Sequence, residues 1–232
     1  DGININQNCG STNPDFLKEE IIEGSYDLGI AFDGDGDRIL VVNSEGEILD
    51  GDDILYILSN HLKADTGVVG TLMTNKALEI YFEKNNIPFL RADVGDKYVL
   101  QTLLEESWVL GGEPSGHIIC LDSAPTGDAI IAALNLLNVI KDNNFSVKKT
   151  LEGFKKFPQT LINLKVKNAN KIIISDKFWS EVTRIEKQLG KNGRVLIRPS
   201  GTEPLIRIMV ESDKTGASQD FCNALADLAQ TI

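Results

Sequence analysis

The sequence lacks several features that define whole classes of protein. Its three cysteines are far apart and form no CxxC pair, which predicts a reducing, cytoplasmic compartment rather than a disulfide framework. No apolar run approaches the about 20 residues that cross a bilayer, so no membrane partner is predicted. Basic residues number 23 against 34 acidic ones, and the net charge of -11 would repel a polyanion. Nucleic acid is therefore not a predicted partner.

The remaining composition is that of a folded protein. Hydrophobic residues make up 42% of the 232 residues and charged residues 25%, enough apolar material for real cores. The length predicts two domains or parts of three. The chain opens with Asp1 rather than Met, and we expect its numbering to start inside a longer polypeptide.

Hydrophobic patterning divides the chain into three segments, 1–63, 64–155 and 156–232. The first is predicted to contain a strand at 28–32, a loop, a strand at 39–42 and a helix from Asp52 to Leu62. The second alternates strands at 67–73, 88–91, 108–110 and 118–121 with helices at 76–85, 97–106 and 128–141. The third has strands at 160–166, 194–197 and 205–210 with helices at 176–189 and 217–230.

This order of elements predicts the fold class. Alternating strands and helices in the second segment favour an α/β, mixed βαβ-type sheet domain, with the first segment as the end of a preceding similar domain. The third segment predicts a smaller α+β C-terminal domain with an antiparallel sheet. Pro158 breaks a helical pattern, which places the linker at 154–159.

The first candidate site is an acidic loop between the two predicted strands. Asp33, Asp35 and Asp37 alternate with glycines, so their carboxylates can converge on a hard cation such as Mg²⁺ or Ca²⁺. An EF-hand is excluded, because its sixth position is Arg38, its twelfth is Ser44 and strands flank the loop. The structural alternative is a solvated Asp-Gly hairpin.

The second candidate site is the polar loop Gly111–His117. Glu113, Ser115 and His117 place a carboxylate, a hydroxyl and an imidazole at every second position, and these groups suit a polyol. The spacing is wrong for the elbow of a serine hydrolase. A Gly/Pro turn with an incidental histidine remains the structural alternative.

A third loop, Arg198–Pro204, lies between two predicted strands. It offers a guanidinium, two hydroxyls and a glycine, which is the chemistry of a phosphate cradle. No P-loop motif is present. The structural alternative is a hairpin turn with a surface arginine.

Taken in order, FDGDGDR (32–38), GGEPSGH (111–117) and RPSGTEP (198–204) resemble the metal, sugar and phosphate loops of the α-D-phosphohexomutase family. The resemblance covers the whole chain. Further stretches are similar to the branch of the family that acts on glucosamine phosphates: NCGSTNP (8–14), VGDKYV (94–99), GHIICLD (116–122), TGD (126–128) and EPLIRIMVE (203–211).

The resemblance implies an isomerase that interconverts glucosamine 6-phosphate and glucosamine 1-phosphate through a phosphoserine. A hexose 1,6-bisphosphate would be the intermediate and activator, and Mg²⁺ the cofactor. Site residues carried over by position fall into four roles: Asp33, Asp35 and Asp37 for the metal; Glu113, Ser115 and His117 for the sugar; Arg198, Ser200, Gly201 and Thr202 for the phosphate that stays in place; and Arg38 and His117 near the chemistry.

Three departures from the family pattern qualify this resemblance. Pro114 stands where Gln is expected and Lys97 where Arg is expected. The family's serine lies in a Ser-His-Asn-Pro setting that does not occur here, since Ser11 is followed by Thr12. We therefore expect the N-terminal domains of the same protein to be missing partners, and this chain alone to be inactive.

Two alternatives stay open. One is a mutase of mannose or glucose phosphates, because the same carboxylate and hydroxyl serve several hexoses. The other is a non-catalytic module that binds Mg²⁺ or a phosphosugar. The expected small-molecule partner is a phosphosugar in each case. A homodimer is compatible with the sequence, which does not fix the oligomeric state.

Overall fold

A computed structural model describes residues 1–61, 66–143, 146–166, 168–200 and 204–232. The chain forms two compact units, Asp1–Lys155 and Lys156–Ile232. Within the described residues, no helix is both long enough and apolar enough to span a membrane. Cys9, Cys120 and Cys222 carry free thiols, and the cytoplasmic location stays a prediction.

The first unit opens with a helix and an antiparallel sheet of order β1-β2-β3. Phe32 at the end of β1 pairs with Ile39 at the start of β2, so the acidic loop is the connection of a hairpin. The predicted strand, loop and strand are confirmed. The elements are α1 (Asp15–Gly24), β1 (Leu28–Phe32), β2 (Ile39–Asn43) and β3 (Ile48–Leu49).

The rest of the first unit is built on a sheet of order β5-β4-β6-β7. β4 is parallel to β5 and β6, whereas β7 returns antiparallel to β6. The mixed βαβ-type sheet is therefore confirmed. Its strands are β4 (Val68–Thr71), β5 (Phe89–Ala92), β6 (Leu110–Gly112) and β7 (Ile118–Cys120), and its helices are α2 (Gly51–Ser59), α3 (Lys76–Lys84), α4 (Asp96–Glu106), α5 (Ala129–Asp142) and α6 (Val147–Thr150).

The two sheets of the first unit share one hydrophobic core. Ile39 and Val41 of β2 belong to the same buried cluster as Ile54 of α2 and Leu136 of α5. Helix α2 begins at a capping box, in which the Asp50 side chain accepts from the amides of the first turn. The helix ends at Ser59, before the predicted Leu62. The boundary at residues 63 and 64 lies outside the described residues, and the division into three domains stays a prediction.

The second unit is an antiparallel sheet of order β8-β10-β9 covered by helices. Phe178 and Ile185 of α8 and Cys222 of α9 are buried against Ile208 of β10. The smaller α+β domain is therefore confirmed. Its strands are β8 (Gln159–Lys165), β9 (Gly193–Pro199) and β10 (Leu205–Ser212), and its α-helices are α7 (Ala169–Ile173), α8 (Asp176–Leu189) and α9 (Ala217–Gln230).

Candidate functional site

The acidic loop brings its three carboxylates together. Each of Asp33, Asp35 and Asp37 offers an oxygen, and these oxygens lie within 4.8 Å of one another. Gly36 has φ +73°, a conformation that glycine adopts readily and that closes the turn. Its carbonyl accepts from the amide of Ala129, which ties the loop to the start of α5 at 3.0 Å. The loop is therefore shaped by both of its ends and by a neighbouring helix.

The residues present fit a hard divalent cation. Oδ1 of Asp37 is buried and has no hydrogen-bond partner within the described ranges, as a ligand atom would be before it binds. Asp33 accepts from the amide of Arg38 at 3.0 Å. Burial alone raises the pKa of Asp33, but the hydrogen bond from the Arg38 amide and the nearby Arg38 charge bring that pKa below its ordinary value. A donor set made only of carboxylate oxygens is what Mg²⁺ prefers.

The polar loop is shorter than its sequence predicts. Gly111 and Gly112 lie in β6, where Leu110 pairs with Cys120 of β7, so the predicted strand at 108–110 is shifted toward the loop. Position 112 of this strand requires glycine, because a Cβ there would lie 2.5 Å from the carbonyl oxygen of His117. The Glu113 amide donates to that carbonyl at 2.9 Å and closes the loop as a tight hairpin.

Backbone hydrogen bonds hold the two loops together. The amide of Ile39, the first residue after the acidic loop, donates to the carbonyl of Gly116 at 3.1 Å. Gly116 has φ +95°, and a Cβ there would lie 2.2 Å from the Ile39 carbonyl oxygen. Only glycine allows so close an approach. Arg38 and His117 form an isolated antiparallel bridge at the same place.

His117 lies between carboxylates of both loops. Its Nε2 is 2.7 Å from Oδ2 of Asp37, and its Nδ1 is 3.3 Å from Oε2 of Glu113. A neutral imidazole donates from only one of its two ring nitrogens, so donation to both carboxylates requires the imidazolium form. The hydrogen bond to Glu113 raises the pKa of His117, burial opposes this shift, and Asp37 adds to it. Arg38 Nε lies 3.4 Å from the same Nε2 and can donate to it only in the tautomer in which Nε2 carries no proton.

Glu113 is held on its other side as well. The amide of Gly95 donates to Oε1 of Glu113 at 2.9 Å, and the side chain of Glu113 is buried. Ser115 Oγ is 3.3 Å from Nδ1 of His117. The structure thus brings together six of the predicted site residues in the first unit: Asp33, Asp35, Asp37, Glu113, Ser115 and His117. Arg38 lies beside them, with Nε 3.5 Å from Oδ2 of Asp33.

Two contributors to this site are not apparent in the sequence. Gly51 begins α2, and its amide donates to the carbonyl of Pro114 at 3.2 Å. A Cβ on Gly51 would lie 1.8 Å from the carbonyl oxygen of Glu113. Gly95, which binds Glu113, belongs to a stretch that the sequence distinguishes only by resemblance. No local signal indicates a contact between residues so far apart in sequence.

The third loop lies in the second unit, at the end of β9. Arg198 pairs with Arg207 of β10 in the sheet register, which places two cationic side chains on adjacent strands. Like charges directly opposite each other are unfavourable unless an anion or solvent separates them. The Ser200 amide donates to the Leu205 carbonyl at 2.9 Å. Gly201 and Thr202 lie outside the described residues, and their predicted role is not tested.

Two family models match most of the chain. Residues 50–157 match phosphoglucomutase/phosphomannomutase, alpha/beta/alpha domain III, and residues 161–228 match the phosphoglucomutase/phosphomannomutase C-terminal domain. The phosphoglucosamine mutase of Acinetobacter baumannii (strain AYE) is 49% identical over 100% of this chain and 52% of its own length. That of Legionella pneumophila (strain Corby) is 46% identical over 98% of this chain and 51% of its own length. The chain spans about half the length of the curated relatives it matches.

Solved structures show the same fold. A phosphoglucomutase/phosphomannomutase family protein from Burkholderia thailandensis matches 95% of this chain and 50% of its own, with a TM-score of 0.78 and 24% identity. The N-acetylphosphoglucosamine mutase of Aspergillus fumigatus, solved in complex with GlcNAc-6P and magnesium, matches 96% of this chain and 56% of its own, with a TM-score of 0.74 and 21% identity.

Proposed function

Since this chain belongs to the phosphoglucomutase/phosphomannomutase family, we propose that it carries the cation, sugar and phosphate loops of a phosphoglucosamine mutase. Such an isomerase interconverts glucosamine 6-phosphate and glucosamine 1-phosphate. The observation that carries the proposal is the contact of the acidic loop with the polar loop, through His117 between Asp37 and Glu113. A cation site in contact with a polyol site suits transfer of a phosphoryl group to a sugar hydroxyl.

In the acidic loop, Asp33, Asp35 and Asp37 would hold Mg²⁺. The ion would supply positive charge to the phosphoryl group in transfer. Arg38 lies next to the same carboxylates and would add a second positive charge there. Its side chain is about two-fifths exposed, at 40%, so its guanidinium can reach a ligand above the loop.

In the polar loop, Glu113 would accept hydrogen bonds from sugar hydroxyls, and Ser115 would donate or accept one. The carboxylate of Glu113 is already oriented by Gly95, which reduces the ordering that substrate binding requires. His117 would also contact the sugar or move a proton. In the second unit, Arg198 and Ser200, with Gly201 and Thr202, would hold the phosphate that is not transferred.

The phosphoryl group needs a donor and an acceptor. We propose a phosphoserine in an N-terminal portion of the same protein, since no Ser-His-Asn-Pro motif occurs in the 232 residues. Its phosphoryl group would pass to the free sugar hydroxyl, giving a hexose 1,6-bisphosphate and a serine hydroxyl. After the bisphosphate reorients in the site, its other phosphoryl group would return to the serine, and the isomerised sugar phosphate would be released.

A coupled assay of glucosamine 1-phosphate formation tests this proposal. The chain is assayed alone and mixed with a separately expressed N-terminal half of the Acinetobacter baumannii relative, in Mg²⁺ and a hexose 1,6-bisphosphate. We expect turnover in the mixture only. Asp35→Asn should lower it about 100-fold or more, as loss of a group that stabilises a transition state does. The control is Asp27→Asn, an exposed carboxylate before β1, which should leave turnover unchanged.

Two results would contradict the proposal in different ways. Turnover by the chain alone would show that the donor serine lies within these residues. A mixture that is equally active with Asp35→Asn would show that the acidic loop does not take part. Greater turnover with mannose or glucose 6-phosphate would assign the other hexose specificity, and a mixture that binds the phosphosugar without turnover would favour a non-catalytic module.

A further inference from the structure

The geometry around His117 points to a role that no catalytic step requires. We propose that His117 is a positioning residue that orients Asp37 for the cation and couples cation binding to sugar binding. The inference rests on the proposed function, because it assumes a cation in the acidic loop and a sugar at Glu113. It concerns how the two sites affect each other and not the chemistry that they perform.

The first step concerns the two oxygens of Asp37. Nε2 of His117 donates to Oδ2 at 2.7 Å, a short and strong contact to a charged acceptor. Oδ1 of the same carboxylate is buried and lacks any partner in the described part of the chain. A carboxylate held by one oxygen presents the other in a fixed direction. Outer groups that orient metal ligands in this way contribute strongly to metal affinity.

The second step concerns the other end of the imidazole ring. Nδ1 of His117 contacts Oε2 of Glu113 at 3.3 Å, and Oε1 of Glu113 is held by Gly95 at 2.9 Å. Glu113 and His117 are only 5% and 9% exposed, so water does not compete freely for these contacts. Electrostatic contacts in such surroundings are stronger than on an open surface. A shift of the Glu113 carboxylate therefore changes the position of the Asp37 carboxylate, because both contact the same rigid imidazole ring.

The third step gives the direction of the coupling. The hydrogen bond from Ile39 to Gly116 and the contact from His117 to Asp37 join the two loops at neighbouring points. A ligand that orders one loop therefore orders the other, and the second ligand binds to a site that is already arranged. The coupling is positive, and it must be equal in both directions because binding free energies are reciprocal.

The test measures Mn²⁺ affinity of the whole chain by electron paramagnetic resonance, with Mn²⁺ as the visible substitute for Mg²⁺. We expect His117→Ala to weaken Mn²⁺ binding about 10- to 100-fold, the range found when groups behind metal ligands are removed. His117→Gln should recover part of the loss, since its amide can donate to Asp37. The matched control is His61→Gln, an exposed histidine beyond the end of α2, which should bind Mn²⁺ like the unchanged chain.

A second titration separates coupling from simple ligand support. Glucosamine 6-phosphate should tighten Mn²⁺ binding about fivefold or more in the unchanged chain, within the usual range of coupling between sites. Glu113→Gln leaves the contact between His117 and Asp37 intact. It should therefore keep most of the Mn²⁺ affinity and lose the effect of the sugar. His117→Ala should lose both, and circular dichroism of each variant shows whether it is folded.

The outcomes are distinguishable from failure of the proposed function. If the unchanged chain binds Mn²⁺ and Asp35→Asn abolishes that binding, the cation site stands. Mn²⁺ affinity of His117→Ala within twofold of the unchanged chain would then overturn the positioning role alone. If His117→Ala is unfolded, Mn²⁺ affinity of His117→Gln tests the positioning role in its place. The coupling would be overturned if glucosamine 6-phosphate tightened Mn²⁺ binding equally in Glu113→Gln and in the unchanged chain.

Discussion

The two units of this chain specify their structures by different means. Around the site of the first unit, glycines let backbones approach so closely that no side chain fits, as at Gly51 and Gly116. In the second unit, large apolar side chains such as Phe178 fill the space between helices and an antiparallel sheet. An added atom at these glycines should therefore harm the site of the first unit, whereas removed atoms at Phe178 should harm the packing of the second unit. The contrast predicts which substitutions matter in each unit.

The largest expected effect comes from removing atoms in the second unit. Phe178 is fully buried, and Phe178→Ala should lower the free energy of unfolding by about 3 to 5 kcal/mol through lost burial and a residual cavity. Hydrogen exchange of the α8 and β10 amides measures it. The control is Lys177→Ala on the exposed side of the same helix, which should change stability by less than about 0.5 kcal/mol. Equal effects of the two variants would contradict the conclusion that large buried side chains stabilise the second unit.

A smaller effect in the second unit appears only at alkaline pH. Burial raises the pKa of Cys222 from 9.0 to about 11. Below pH 9 the thiol is neutral in both the folded and unfolded states, so the full stability is present. As pH rises toward 11, the thiol of the unfolded state loses its proton first. The free energy of unfolding should therefore fall by up to about 3 kcal/mol, since each unit of pKa shift corresponds to about 1.4 kcal/mol.

Urea unfolding between pH 8 and 11 measures this loss. Cys222→Ala should be less stable at pH 8 because it leaves a small cavity, but its stability should fall less steeply with pH. A slope in Cys222→Ala as steep as that of the unchanged chain would assign the alkaline loss to other groups. The thiol would then contribute to the second unit through its volume alone.

The smallest of the three effects comes from adding one methyl group to the first unit. Alanine normally stabilises a helix relative to glycine. At Gly51, however, the methyl carbon would lie 1.8 Å from the Glu113 carbonyl oxygen, so α2 or the polar loop must move. We expect Gly51→Ala to lower the free energy of unfolding by about 1 to 3 kcal/mol, as overpacking does.

The control for Gly51→Ala is Gly127→Ala, where the nearest atom would lie at an ordinary 3.7 Å. Its thermal midpoint should stay near that of the unchanged chain, while that of Gly51→Ala should fall. Stabilisation by Gly51→Ala would mean that the loop yields without cost. The close approach would then not be a constraint on the first unit.

Much of this fold is predictable from hydrophobic patterning. The strands on either side of the acidic loop are apolar runs with sharp polar limits, and α8 has apolar residues at helical spacing on one face. Helix α1 gives a weaker signal, because Pro14 at its start supplies no side-chain cap and only Ile21 is buried. The β6 strand was misplaced because glycine disfavours strands in general, whereas here Gly111 and Gly112 allow close packing.

Each loop of the candidate site can be singled out in the sequence, but the contact between the loops cannot. The types and spacing of Asp33, Asp35 and Asp37 indicate a cation site directly. The contact between Asp37 and His117 joins residues 80 positions apart, and no pattern within either loop encodes it. It depends on the hydrogen bond between Ile39 and Gly116, which arises only when the hairpin of β1 and β2 packs beside the hairpin of β6 and β7. Long-range pairing of this kind is a property of the fold.

The hydrogen bond from Ile39 to Gly116 has a consequence for protein engineering. Both of its atoms belong to the main chain, so only proline at position 39 would remove the donor. The requirement for glycine at 116 leaves little room for variation. A polar loop grafted from another member of the phosphoglucomutase/phosphomannomutase family would require a compatible β2 and the glycine that begins α2. The segment to exchange in redesigning the polar loop is therefore the pair of hairpins together with the first turn of α2.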